Sequence, residues 1–464
     1  MAETFGLFSA WSSGNSSSSI DEVPKPMDIL FLTNRPTENT QAATVTEYLD
    51  ALHTYSAHRV HEVSMLHHFP SKIDLDRFDV VITHYSLSIG PLLHHYLGHA
   101  LVEKLKRFRG LKAAFLQDEY REIQTYWKHI NELGIGLLFS CVPEEEIDKV
   151  YPAEKVPHLR VVNVLTGYVP ERLLEQKALP VAQRPIDVGY RTRRMPFWLG
   201  RLGHEKWFIA QEFERRAKGT DLKIDLSTRE GERLYGEAWT NFVASCRAVI
   251  GVESGASIID FDGKLEHRVE GYLAKNPDAT FEEISQKFLA PYEGSLKLHQ
   301  ISPRCFEAAA LRTPMVLFQG SYSGVLEPDR HFIVLKKDFS NFDEVVFKLR
   351  DHDSLQAMAD RTYEDVAMNP RWSYRSFIQQ VDSALHDVVE QGVTQRASRP
   401  YTKTEFDRAV RYSLNYFPRR KTVLFIQSVL LGMPFARRLL FGLWDVLPRP
   451  VKQFARPLAR IVSR

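Results

Sequence analysis

Cysteine is scarce. Only Cys141, Cys246 and Cys305 occur in 464 residues. An odd, widely spaced set makes neither a disulfide framework nor a zinc ligand set, and it implies a reducing compartment. No apolar run reaches 18 residues, so no membrane-spanning helix is expected. The first residues lack a basic stretch leading into an apolar one, and Ser-rich sequence follows Trp11, so they do not read as a secretory signal. No internal repeat is visible. The pairs His67-His68 and His94-His95 have no Cys or carboxylate framework beside them, and adjacent residues do not share one side of a helix. No metal site is expected there.

Charge of one sign is missing from the net balance but not from the ends. From Tyr401 to Arg464 there are 13 Lys or Arg against three acids, a net of +10, so the rest of the chain carries −8 within a total of +2. A basic tail on an acidic body implies docking to something anionic. In the tail, Thr422–Leu431 is strongly apolar, and Arg437, Arg438, Arg449, Lys452, Arg456, Arg460 and Arg464 alternate with Leu, Phe and Val. That pattern suits short amphipathic helices lying in a membrane interface, where each cation near anionic lipid adds about 1 kcal/mol. Nucleic acid is not the expected partner, because the basic and aromatic residues form no known module.

Residues 1–24 are expected to be disordered, since the Ser-rich stretch after Trp11 cannot bury anything. From Met27 onward, short apolar runs bounded by breakers alternate with helical patterns. Strands are expected at 27–33, 58–65, 78–84, 112–117, 136–140 and 161–164, with helices between them. Gln176–Pro185 reads as a linker. A second series follows, with strands at 186–190, 222–226, 248–252, 314–318 and 332–335. Alternating strands and helices imply right-handed βαβ units and parallel sheets covered on both faces. The expected fold is α/β, with two doubly wound Rossmann-like domains (25–175 and 186–395) facing a cleft at their strand ends. A helical insertion is expected at about 261–299, and the basic tail occupies 396–464.

The stretch Ile301-Ser302-Pro303-Arg304-Cys305-Phe306-Glu307-Ala308-Ala309-Ala310-Leu311-Arg312-Thr313-Pro314-Met315-Val316-Leu317-Phe318 carries the most chemistry. Ser302 and Pro303 start a helix, and Thr313-Pro314 ends it and launches a strand. The free N–H groups and positive dipole end of that helix suit a diphosphate. A carboxylate one or two turns in, Glu307, can take both hydroxyls of a ribose.

This stretch resembles the donor-nucleotide motif of the retaining, group 1 glycosyltransferases of GT-B fold that build bacterial surface polysaccharides. The resemblance covers about residues 300–345 and is fold-level elsewhere. It implies that Glu307 binds the ribose of a nucleotide-diphosphate sugar, with Ser302 and Arg304 beside it. The family has a second Glu eight positions earlier, where this chain has His299. The role is expected to have moved to Glu253, at the end of the preceding strand, with Ser254 and Gly255 near the phosphates. The family also uses an Arg and a Lys from the start of the second domain. The loop after Tyr190 offers Arg191, Arg193, Arg194, Arg201 and Lys206 for this, and Arg suits bidentate phosphate contacts. No Asp-x-Asp motif stands where a metal-dependent sugar transferase needs one. No metal and no cofactor besides the donor are expected.

In the first domain, residues just after strands are the acceptor-side candidates: His84, Asp118 with Glu119, and Asn34 with Arg35. The resulting expectation is a transferase acting on a glycan or lipid-linked acceptor, cytoplasmic and peripheral on the inner face of the membrane. Two other readings stay open: a nucleotide-sugar epimerase of the same fold, and a non-catalytic sugar-nucleotide binding or scaffold protein.

Overall fold

A computed structural model of the protein describes residues 25–36, 42–65, 69–390 and 398–411. The expected disorder of 1–24, His67-His68 and the tail beyond 411 lie outside these residues.

Eleven strands are present among them: β1 (Asp28–Thr33), β2 (Arg59–Ser64), β3 (Val80–Thr83), β4 (Leu111–Leu116), β5 (Leu137–Ser140), β6 (Arg160–Asn163), β7 (Ile186–Arg191), β8 (Ile224–Ser227), β9 (Cys246–Gly251), β10 (Met315–Phe318) and β11 (Ile333–Leu335). They form two sheets, ordered β2-β1-β3-β4-β5-β6 and β11-β10-β9-β7-β8. Every pair within them is parallel. This is the expected α/β class with two doubly wound sheets.

The continuous apolar runs follow from burial on both faces. In β1, Leu30 and Leu32 enter one core while Ile29 and Phe31 enter the other. In β10, Met315 and Leu317 alternate with Val316 and Phe318 in the same way.

The end of the second domain is corrected. Helix Tyr374–Glu390 does not stay with the second sheet, as a domain running to 395 implies. Its apolar face (Phe377, Ile378, Val381, Leu385) packs with Tyr48, Leu49 and Leu52 on the first sheet. The Tyr48 and Phe377 rings are 4.6 Å apart. The chain therefore crosses between the units twice, and the crossings meet: Val169 N–H donates to the Trp372 carbonyl at 2.9 Å. Helix Lys403–Arg411 also packs on the first unit. Phe406 and Tyr401 bury against Phe78, and Arg77 lies 3.6 Å over the Tyr401 ring. This opening part of the tail packs on the body.

The linker is held tightly. Arg184 is fully buried and, among the described residues, has no carboxylate hydrogen-bond partner. Its guanidinium donates to the carbonyls of Leu179, Cys246, Leu311 and Arg312 and to Thr313 Oγ1. Burial pulls its pKa down to about 10. The cation thus sits at the carbonyl end of helix Pro303–Ala310, where the dipole favours it.

The insertion leaves and returns at one point. Ser254 and Gln300 pair antiparallel, with N···O distances of 2.7 and 3.0 Å. Between them, Lys264–Leu273 and Phe281–Ile284 are helical. Leu265, Val269, Phe281 and Ile284 pack on Phe197, Trp198 and Leu199 of the second unit. Residues Asp260–Phe261 reach the first unit, where Asp260 N–H donates to Tyr120, and Glu122 and Gln124 N–H donate back, at 2.6–3.0 Å. Among the described residues, no helix is long and apolar enough to cross a membrane.

Candidate functional site

Strand order reverses between β1 and β3 in the first sheet and between β7 and β9 in the second. Ligands of open parallel sheets bind at such points, beyond the carboxyl ends of the strands. Two adjoining cavities of about 280 Å³ each lie there. They share Asp118, Lys206, Arg233, Ser254, Ser302 and Arg304. The outer one runs from Glu307 and Trp239 to Gln117, Tyr120 and Thr166 of the first unit.

Helix Pro303–Ala310 forms one wall. Ser302 precedes it in extended conformation and makes no side-chain cap bond, so its hydroxyl is not committed to the helix. Cys305, Phe306, Ala308 and Ala309 bury in the second core, which sets the roll of the helix. Glu307 then lines the outer cavity while itself being buried. Its Oε2 accepts from Trp239 Nε1 at 2.8 Å. Burial raises its pKa to about 7, against the opposing pull of the Trp239 hydrogen bond.

The cations converge at the start of the same helix. Half-buried Lys206 lines both cavities, and burial lowers its pKa to about 8, with Arg304 and Arg193 adding repulsion and Asp118 opposing it. Arg304 donates to the Arg191 carbonyl and lies 5.0 Å over the Trp239 ring. Arg191 lines the outer cavity, held by the Asp225 carbonyl at 2.9 Å and its carboxylate at 3.0 Å. Asp118 is exposed at the end of β4, in left-handed conformation with φ 60°. Gly255 is required where it stands: its φ is 107°, and a Cβ there would meet the Leu298 carbonyl oxygen at 1.8 Å.

Four expected residues are placed elsewhere. Glu253 lines neither cavity. Its Oε1 accepts from the backbone N–H and hydroxyl of Ser321 and from the Tyr322 N–H, at 2.7–3.1 Å. The carboxylate is used to hold the loop after β10, where Tyr322 and Ser323 both have positive φ. His84 is fully buried among Phe31, Tyr48, Tyr85 and Phe115. Burial pushes its pKa down to about 3, and Nδ1 is paired with the Ser86 hydroxyl at 3.0 Å. It is a core histidine. Arg194 turns onto Phe197 and Trp207, and Arg201 is exposed near Phe281. Neither reaches the cavities, whereas Arg193 lines the inner one.

The other acceptor-side candidates also face inward or sideways. Glu119 accepts from Ser140 and Tyr151 in the core, with its pKa raised to about 7 by burial. Arg35 pairs with Glu62 and Asp50. Residues not anticipated are Trp239, Tyr235, Arg233 and Gln300. Arg233-Leu234-Tyr235 stands directly before helix Gly236–Ala244. A basic and aromatic cluster at a helix start was the available signal for it. Gln300 had none. Among the described residues, no three His, Cys, Asp or Glu are grouped to hold a metal ion.

No protein-family model matches this chain, and no curated protein does. Solved structures do, at low identity. An alpha-glucosyltransferase in complex with UDP-glucose and DNA containing an abasic site aligns at 11% identity and a TM-score of 0.47, over 79% of this chain and 100% of that one. HepE of Anabaena, in complex with UDP-glucose, aligns at 9% identity and a TM-score of 0.43, over 79% and 100%. TarM aligns at 10% and 0.39, over 66% and 54%.

Proposed function

We propose that this chain is a GT-B glycosyltransferase that moves a sugar from a nucleoside-diphosphate donor to a glycan or lipid-linked acceptor. One observation carries the reading. A buried carboxylate (Glu307) and a set of cations (Lys206, Arg304, Arg191, Arg193) line two adjoining cavities at a strand-order reversal. The carboxylate suits a ribose diol. Trp239 and Tyr235 beside it offer apolar surface to a base. The cations and the helix N-terminus suit a diphosphate. Several of the solved structures hold UDP or UDP-glucose, which makes a uridine donor the first to try.

In this reading the chain's main catalytic work is to stabilise charge on the departing diphosphate. Lys206 and Arg304, which line both cavities, do so as that charge develops in the transition state. Asp118 projects from the first unit toward the same space and is the group placed to orient an acceptor hydroxyl. Attack from the face the diphosphate leaves would retain the anomeric configuration. Transfer and hydrolysis assays across a donor panel test the proposal. Sugar transfer that is lost in Lys206→Ala and Arg304→Ala supports it; release of free sugar nucleotide epimer, or binding without turnover, replaces it. Glu253 being committed to Ser321 and Tyr322 is what a non-catalytic binder would also show, and turnover separates the two.

A further inference from the structure

We infer that Glu119 is a positioning residue, which holds its neighbour Asp118 in the conformation that places it at the cleft. The inference rests on the proposed transfer reaction, in which Asp118 orients the acceptor hydroxyl. Asp118 lines both cavities and is exposed, with φ 60°. That left-handed conformation is uncommon outside glycine, although Asp tolerates it better than most residues. Backbone of this kind persists where the surroundings over-determine it.

Here they do so from two sides. On one side the next residue turns inward. Glu119 is buried, and both of its carboxylate oxygens accept from the Ser140 hydroxyl at the end of β5, at 2.8 and 3.0 Å. The buried Tyr151 hydroxyl donates to Oε1 as well. The Ser140 hydroxyl is itself aimed: its oxygen accepts from the Val142 N–H at 3.0 Å, which leaves its proton for Glu119. On the other side, the Tyr120 N–H donates to the Asp118 carbonyl at 2.9 Å and closes a tight turn around Glu119. The Tyr120 carbonyl then accepts from the Asp260 N–H of the insertion at 2.8 Å. Asp118 stands at the start of a turn fixed to the core and to the insertion.

Packing alone does not call for a carboxylate at this position. Burial raises the Glu119 pKa to about 7, so its charge is held at a cost that an amide of the same shape would not carry. What the carboxylate adds is an acceptor for two hydroxyls at once, which fixes the direction of the chain where it leaves Asp118. Glu119 lines neither of the two cavities, so it acts through Asp118.

The test is steady-state sugar transfer from a panel of UDP-sugars to alkyl glycosides, with UDP binding measured by calorimetry. It compares the wild type, Glu119→Gln, Asp118→Asn and the double variant. Asn also tolerates the left-handed conformation, so Asp118→Asn removes the charge and keeps the turn. Glu119→Gln should lower kcat about tenfold while leaving UDP binding and the donor KM unchanged, and it should be no less stable than the wild type. In the Asp118→Asn background the same substitution should cost nothing further. A folded Glu119→Gln protein with the wild-type kcat would overturn the inference. So would a loss equally large in the Asp118→Asn background, or one that takes UDP binding with it. If Glu119→Gln does not fold, Tyr151→Phe carries the same comparison, because it removes one donor and keeps the ring. A wild type that binds UDP but transfers no sugar would instead overturn the proposed function.

Discussion

Glu307 carries a stability cost set by its burial. Its folded pKa of about 7 lies above the ordinary 4.5 because burial penalises the charge. The folded state therefore holds the proton more tightly than the unfolded state does. Stability falls as pH rises from about 4.5 to 7, and the cost is fully present above 7. Glu307→Gln removes the charge and keeps an acceptor for Trp239. It should be more stable than the wild type at pH 8, by up to about 3 kcal/mol, and no more stable at pH 4, as denaturant titrations at both values will show. The same variant should bind nucleotide more weakly. Glu119→Gln should share the pH trend without that loss, since Glu119 lies in the core with Ser140 and Tyr151. His84 acts with the opposite sign: its depressed pKa means stability is lost as pH falls below the ordinary histidine range.

At the scale of elements, helix Pro303–Ala310 is placed from both ends. Arg184 binds the carbonyls of Leu311 and Arg312 at its close, and Ser323 Oγ accepts from the Ile301 N–H ahead of its start. Arg184→Ala leaves several buried carbonyls without a donor and should cost about 3 kcal/mol in an equilibrium unfolding measurement. Gly255→Ala cannot keep the Leu298 approach and should break the Ser254–Gln300 pairing, with loss of nucleotide binding by calorimetry. This is also the scale at which the sequence was most and least readable. The strands of both sheets showed themselves because burial on two faces demands unbroken apolar runs. Helix Pro303–Ala310 showed itself because Ser-Pro before it and Thr-Pro after it mark both ends. Glu253 misled because a carboxylate after a strand looks the same whether it faces a cleft or a neighbouring loop, and only the tertiary position of Ser321 and Tyr322 decides. His84 misled for a related reason: the position after a strand can turn into an aromatic core. Gln300 was hidden because its partner, Cys141, is 159 residues away.

At the scale of the whole molecule, the cleft is framed by segments that cross it. The insertion pairs with residues 120–124 of the first unit, and helix Tyr374–Glu390 returns from the second unit to the first. The second unit lines the cleft with Lys206, Arg304 and Glu307, while Gln117, Asp118, Tyr120 and Thr166 come from the first. The tail extends this frame. Residues 398–410 pack on the body, whereas the stretch after 411 keeps ten of the tail's 13 cations against a single acid. Membrane docking is a proposal for that stretch. Flotation with vesicles containing anionic lipid should retain the full chain and release a chain ending at 411, and salt should weaken the retention. Equal flotation of both would assign membrane docking to the body or to none.

The central claim is that the cleft takes a nucleoside diphosphate through Glu307 and the cations beside it. Calorimetric titration with a panel of nucleoside diphosphates, on the wild type and on Glu307→Ala, tests it most directly. Saturable binding of at least one member is expected, weakened roughly tenfold or more (about 1.4 kcal/mol) by the substitution. Absence of binding for every member, or binding that Glu307→Ala leaves unchanged, would contradict it.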